Sequence, residues 1–446
     1  MKTKTQLIDE IISNIKTKYL DREKLTKLNK NKLFYVAKQA DGNLKVVLPF
    51  VFGRSDFLNL NKEGLEGAAA RIIEYIKEVI RKGKFPNLSG NLGRRYEALY
   101  EPITIINCDL NIGSDLWRAD ECNYISQDKI HLLLRLIFDE ENPKIMGRKI
   151  DELAEELNEF IQKIPYNDLE KETINLINQK ELRNSLDELG LVSFIADNSK
   201  PARSYTRIRR HHRIAGPKKG INVEFKTPME LNPIEVELFD GNVITGLGIK
   251  KREVFIITGR NAQGKSTLLE AIECGQDDHL IGDGREYIVT TKDISKASAG
   301  TMQMNGQDIS LFFQKLPKGI NGNPKKVHGT GSGSMTMAYQ IQKALSTKTD
   351  LILIDEDNSA VNLLVNGLLS SWFEGVKPLS ELIMNEREKL TSTFIIVTSS
   401  LDLLTASGDR AVYLEDHEVK YLDLDSFRRN LSEYYLKLSG ELHQYK

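Results

Sequence analysis

Residues 259–267 read GRNAQGKST, a glycine, four further residues, then Gly264, Lys265 and Ser266. The apolar run VFIIT at 254–258 leads into it, and STLLEAIECG at 266–275 leaves it with helical spacing. No other stretch constrains the fold as tightly. A glycine-rich turn between a buried strand and a helix aims successive backbone N–H groups at one anion, at the positive end of the helix. The N–H groups of 260–266 then wrap a β-phosphate and Gly264 lets the backbone come close. Lys265 reaches the β- and γ-phosphates, and Ser266 supplies an oxygen to Mg²⁺. The expected nucleotide loop is therefore Gly259, Arg260, Asn261, Ala262, Gln263, Gly264, Lys265, Ser266 and Thr267.

A partner motif lies downstream. LILIDED at 351–357 is an apolar strand ending in two carboxylates, and α/β sheets place ligand chemistry at the carboxyl ends of their strands. Asp355 is expected to hold Mg²⁺ and Glu356 to act as the base for an attacking water. With TFIIVTSS at 393–400 as another buried strand, the region 231–446 reads as an α/β nucleotide domain with a largely parallel sheet. IEVELFDGNVITGLGIKK at 234–251 adds strands around turn residues, the antiparallel β part of that domain.

Between the two motifs, GTGSGSMTMAYQIQKAL at 329–345 opens a helix on a glycine-serine turn, a second anion-binding geometry. It resembles the signature motif of ABC-type ATPases, with Gly331, Ser332, Gly333 and Ser334 in its place. After Glu356, Ser359 and Ala360 match the ABC D-loop and Asn362 replaces its final Asp. TFIIVTSSLDLLTASGDRAVYLED is similar to the ABC ending, including Asp409-Arg410, but Ser399 or Ser400 stands where the switch His belongs. That His contacts the γ-phosphate in ABC enzymes, so the resemblance implies slow hydrolysis or a substitute, with Ser399 the catalytic candidate beside Glu356 and Lys265. Phe239 stands where an aromatic ring stacks on adenine, with strand-core packing as the other reading. Gln314 is favoured for the Mg²⁺-sensing Gln, with Gln303 and Gln307 competing.

More segments, in order, resemble the predicted ATPases of the ABC class. This soluble group has as its best-described eukaryotic relative a mitochondrial RNA-editing accessory ATPase. The segments are GRRYEALY at 93–100, LVSFIADNSKPAR at 191–203, HLIGDGREYIVT at 279–290, DISLFFQKLP at 308–317, the GSGSM signature and LIDEDNSAVNLL at 353–364. The resemblance implies an ABC-type P-loop domain, hydrolysis of ATP with Mg²⁺, and a head-to-tail homodimer. In that dimer the 331–334 turn of one chain closes on the phosphate loop of the other.

Upstream, residues 1–87 read as an α+β extension: a helix, a hairpin around Asp41-Gly42-Asn43, and a helix over EGLEGAAARIIEYIKEVIRKGKF. Residues 88–230 read as a further domain, with the strand EPITIINCDL and amphipathic helices at about 127–137, 148–163 and 167–189. It ends in PARSYTRIRRHHRIAGPKKG, a loop rich in Gly, Pro and cations. There Arg203, Arg207, Arg209, Arg210, Arg213, Lys218 and Lys219 lie among Tyr205 and two histidines, a pattern suited to phosphate contacts and base stacking, RNA before DNA. The plainer alternatives are a solvated loop or pairing with acidic helices. The net charge of −1 carries no global nucleic-acid signal. The longest apolar runs fall far short of the ~20 residues that span a bilayer, and no signal-peptide centre is evident. Three cysteines without metal-ligand spacing suggest reduced thiols in a cytoplasmic protein.

Overall fold

The computed structural model describes residues 4–30, 37–38, 44–81, 103–105, 119–138, 142–204, 213, 215–367 and 375–444. Two compact units emerge. One is built mainly from Met1–Asn178 with His279–Gly282, the other from Gln179–Ser204, Pro217–Asp278 and Asp283–Lys446. The helix Tyr166–Ser185 runs through the division.

The first unit is organised by an antiparallel pair. Leu44–Gly53 and Lys129–Phe138 match over ten positions, from Leu44 opposite Phe138 to Gly53 opposite Lys129. Ile103–Ile105 and Tyr124–Ser126 also pair with Lys129–Phe138. This corrects the expected helix at about 127–137. HLLLRL has apolar residues three and four apart, which reads as helix, but Ile130, Leu132, Leu134 and Leu136 feed one core face. Lys129, His131 and Arg135 alternate with them, and buried Leu133 and Ile137 interrupt that polar face, so the period-two pattern is broken in the sequence. The Asp41-Gly42-Asn43 turn lies outside the described residues, although Ala37–Lys38 does pair antiparallel with Leu44 and Lys45. Helices Lys4–Asn14, Leu65–Arg81 and Pro143–Lys163 contribute Ile11, Ile72, Ile76, Ile150 and Leu157 to the same core as Phe50, Phe52 and Leu134. Gly147 lets the first and third of these helices touch, since a Cβ there would stand 2.7 Å from the Asn14 carbonyl oxygen. Glu172 is buried against Arg71 and accepts from the Ile281 N–H at 2.9 Å; burial pushes its carboxyl up, with the arginine opposing. Cys122 is disulfide-bonded, against the expectation of reduced thiols throughout, whereas Cys274 in the second unit is a buried thiol outside any disulfide.

The second unit holds a six-stranded sheet. Its order is Ile294–Ala297, Leu351–Asp355, Thr393–Val397, Val254–Gly259, Arg410–Glu415, Glu418–Tyr421, the first five parallel and the last antiparallel. Successive residues feed opposite faces. Ile256, Ile354 and Ile396 pack with Met335, Ala338 and Ile341 of the helix Gly333–Ser346, while Ile257, Leu353 and Val397 pack with Leu268, Leu269 and Ile272 of the helix Lys265–Cys274. Apolar runs such as LILI and FIIV are what a sheet buried on both faces requires. An antiparallel sheet of Ile288–Thr290, Leu191–Ala196, Val243–Lys250 and Ile234–Glu237 accompanies it. The expected α/β architecture with an antiparallel β part is thus present. No helix among the described residues is long and apolar enough to cross a membrane.

Candidate active site

The parallel register brings three strand ends level. Val397 pairs with Ile257 on one side and Asp355 on the other, and the Thr398 N–H donates to the Ile257 carbonyl at 3.0 Å. The phosphate loop, Asp355-Glu356 and Thr398-Ser399-Ser400 therefore leave the sheet along one carboxyl edge. The strand Thr393–Val397 intervenes between the loop strand and the acidic strand.

Three loop residues hold left-handed backbone: Gly259 (φ 128°), Ala262 (φ 62°) and Gly264 (φ 100°). At Gly259 a Cβ would also meet the main chain of Leu414, 2.9 Å from its nitrogen. Gly264 caps the helix Lys265–Cys274, leaving the first N–H groups directed into the loop. Lys265 is buried and its ammonium donates to the carbonyls of Gly259 and Arg260 at 2.7 and 2.8 Å. Burial lowers the pKa of this ammonium, while the nearby carboxylates of Asp357, Glu356 and Asp355 oppose that shift. Those carboxylates are its electrostatic neighbours, so loop and acidic strand form one site. Arg260, Asn261 and Ala262 stand exposed at the loop's crest.

Asp355 is buried at the strand end and accepts from the Asp357 N–H at 3.4 Å. Glu356 is more heavily engaged. Its Oε2 accepts from Thr398 Oγ1 at 2.8 Å and from the N–H groups of Ser399 and Ser400; its Oε1 accepts from Ser400 Oγ at 2.7 Å. Burial pushes the carboxyl up, but these donors outweigh it and hold Glu356 below the usual carboxylate range. The segment standing where a switch His was expected thus grips the expected base.

The residues present fit a nucleotide with magnesium. Ser266 and Asp355 offer hard oxygen donors, which suit Mg²⁺ bound largely through phosphates and water. A cage of three or more His, Cys, Asp or Glu is absent among the described residues, and none is needed for such a site. Gln314 is exposed and held by its main chain to the Gly375 carbonyl at 2.7 Å, with no hydrogen bond to Ser266 or Asp355 among the described residues. Gln303 and Gln307 are bonded to Thr330 and Asn305. The neighbouring strand Ile294–Ala297 ends with Ala297 opposite Ile354, one residue short of Asp355.

The remaining positions divide. Phe239 lies in a turn and is 47% exposed, so it is not strand core. Ser332 is the exposed N-cap of the helix Gly333–Ser346, its side chain capping nothing, and Gly331 ends the preceding strand. Ser334 Oγ donates to Asn362 Oδ1 at 2.7 Å, and Ser359 Oγ to the Asp355 carbonyl at 2.7 Å, so the signature turn and D-loop are joined within one chain. Asp409 and Arg410 fasten strands: Asp409 accepts from the Val254 N–H, and Arg410 pairs with Glu253.

In the basic segment, Arg203 is corrected. Its side chain is only 2% exposed, and it donates to the Asp283 carbonyl at 2.7 Å and to Asp283 Oδ1 at 3.1 Å. Burial beside Arg285 brings its pKa down to about 10, with Asp283 opposing. It braces the GDGRE segment and cannot reach a polymer. Arg213, Lys218 and Lys219 are exposed, while Arg207, Arg209 and Arg210 lie outside the described residues. One contact carried no sequence signal. His417, in a left-handed turn with Asp416, places Nδ1 3.2 Å from the Gln263 carbonyl and its N–H 3.2 Å from Gln263 Oε1, a brace on the phosphate loop.

Comparison with known proteins identifies the family of the second unit's domain. The model of the ABC ATPase family, a P-loop domain, matches residues 165–444. An uncharacterized protein of Methanocaldococcus jannaschii is 64% identical over 439 residues, covering 97% of this chain and 98% of its own. The methionine import ATP-binding protein MetN of Clostridium acetobutylicum is 24% identical over 242 residues, 46% of this chain and 71% of that one. Among solved structures, cbiO1 of Clostridium perfringens, part of an ABC transporter complex, aligns at 17% identity with a TM-score of 0.31 over 47% of this chain and 93% of its own.

Proposed function

The chain belongs to the ABC ATPase family of P-loop proteins, whose members bind and hydrolyse ATP, and from that premise we propose a head-to-tail homodimer that ATP closes. Each nucleotide is held by 259–267, Asp355 and Glu356 of one copy and by Ser332–Ser334 of the other, with Phe239 against the adenine. The observation that carries this reading is the open N-terminus of the helix Gly333–Ser346. Ser332 is exposed and its hydroxyl caps nothing, and no residue of 331–334 bonds to the phosphate loop of its own chain among the described residues. A helix start with free N–H groups attracts a phosphate, and a second copy would bring one. Ligand shared between two copies stabilises the closed pair by mass action. Light scattering of Glu356→Gln with MgATP tests it: a stable dimer is expected, and a protein that stays monomeric at saturating ATP refutes the arrangement.

The closing dimer acts on nucleic acid in this proposal, RNA before DNA. With Arg203 withdrawn, Lys218 and Lys219 carry the support, being exposed at the end of the basic segment. Such contacts weaken by a log–log salt slope of about one per phosphate neutralised. In filter binding to single-stranded RNA and duplex DNA at two salt concentrations, with and without ATP, Lys218→Ala with Lys219→Ala should flatten the salt slope by about two. An unchanged slope, or no binding of either polymer, removes this reading. It then leaves an ATP-dependent dimerisation switch with little hydrolysis, a second reading that the tightly held Glu356 favours.

A further inference from the structure

Four donors from three consecutive residues close on one carboxylate. Glu356 Oε2 receives Thr398 Oγ1 at 2.8 Å, the Ser399 N–H, and the Ser400 N–H at 3.3 Å, while Oε1 receives Ser400 Oγ at 2.7 Å. A carboxylate offers about four lone-pair directions, two on each oxygen. Oε2 is therefore fully committed, and Oε1 keeps one direction open.

The donors differ in kind. Thr398 is fully buried, and its hydroxyl also accepts from the Leu401 N–H at 3.2 Å, so it builds the turn itself. Ser399 contributes its main chain alone. Ser400 is exposed, and the bond to Oε1 is the one its hydroxyl makes among the described residues. The Ser400 side chain can rotate away without disturbing strand or turn, and doing so frees both lone pairs of Oε1.

We infer that Ser400 is a positioning residue that restrains Glu356 at rest, so that hydrolysis is slowed while this hydroxyl occupies one of the two directions of Oε1 and fixes the carboxylate. The inference rests on Glu356 being the base of the proposed ATPase. In the step it gates, a water oxygen bonds to the γ-phosphorus, the bond from that phosphorus to the bridging oxygen of ADP breaks, and the water's proton passes to Oε1. Removing the restraint raises turnover without altering how ATP is held, because Ser400 makes no hydrogen bond to the phosphate loop among the described residues.

The test compares wild type, Ser400→Ala, Ser400→Gly, Ser400→Thr and Glu356→Gln. It measures phosphate release with MgATP, affinity for a fluorescent ATP analogue, and Tm. Both hydroxyl-free variants should show kcat raised about tenfold, equivalent to about 1.4 kcal/mol in the barrier. Analogue affinity and Tm should hold at wild-type values, and Ser400→Thr should keep the wild-type rate because it keeps the hydroxyl. A kcat at or below wild type in Ser400→Ala and Ser400→Gly, with Glu356→Gln inactive, overturns the restraint and leaves Glu356 as the base. Wild-type turnover in Glu356→Gln overturns both.

Discussion

The two large sheets differ in their central strands, fully buried in the second and partly exposed at Val47, Val51, His131 and Arg135 in the first, and they do opposite things with the strand ends. In the first unit, Leu44–Gly53 and Lys129–Phe138 run antiparallel, so each edge of the sheet receives the start of one strand and the end of the next. In the second, five strands run parallel, and every carboxyl end leaves by the same edge. Loop N–H groups, Asp355, Glu356 and Thr398–Ser400 meet there because the register aligns Ile257, Val397 and Asp355. Parallel pairing gathers polar ends; antiparallel pairing scatters them. The second sheet accordingly gathers its polar strand ends along one edge, and the first does not.

Substitutions can break that contrast. The largest effect is expected at the carboxyl edge. Lys265→Ala should lower ATP turnover by on the order of 10²–10³-fold, as for other groups that stabilise developing charge, while thermal unfolding changes little. A fall in Tm matching the loss of activity would mean the edge is structural after all. Next comes the first sheet. Leu134→Ala in the buried antiparallel strand should cost about 2–5 kcal/mol in chemical denaturation, with the ATP affinity of the folded protein preserved. The smallest effect sharpens the contrast between the two units' cysteines. Burial pushes the Cys274 thiol to about 12, so at pH 8 it is almost wholly protonated, and thiolate appears only as pH climbs toward that value. Iodoacetamide should therefore leave Cys274 unmodified in native protein and label it in guanidinium. Rapid native labelling at pH 8 would show that the helix behind the phosphate loop opens.

How much of this was legible beforehand depended on the range of the interactions. GRNAQGKST and LILIDED were readable because each is a local object, a turn or strand end whose chemistry is set by neighbours in sequence. HLLLRL reads as a helix because buried Leu133 and Ile137 interrupt the alternation of Ile130, Leu132, Leu134 and Leu136 with Lys129, His131 and Arg135. The basic segment misled at Arg203, since nothing within its own loop shows that Asp283 waits 80 residues on to bury it. The edge beside Asp355 makes a related point: which strand lies there, Ile294–Ala297, is decided by register, and register is not written in either strand alone.

The chain by itself determined a nucleotide loop, an acidic strand and a glycine-serine helix start, because phosphate binding needs particular backbone freedom and particular charges at fixed short spacings. Only the tertiary structure decided what Glu356 touches. The Thr398–Ser400 segment lies 42 to 44 residues away, and it reaches the carboxylate because Val397 and Asp355 are paired across adjacent strands. A missing histidine could be seen in the sequence. That three hydroxyl residues close on Glu356 instead is a consequence of folding.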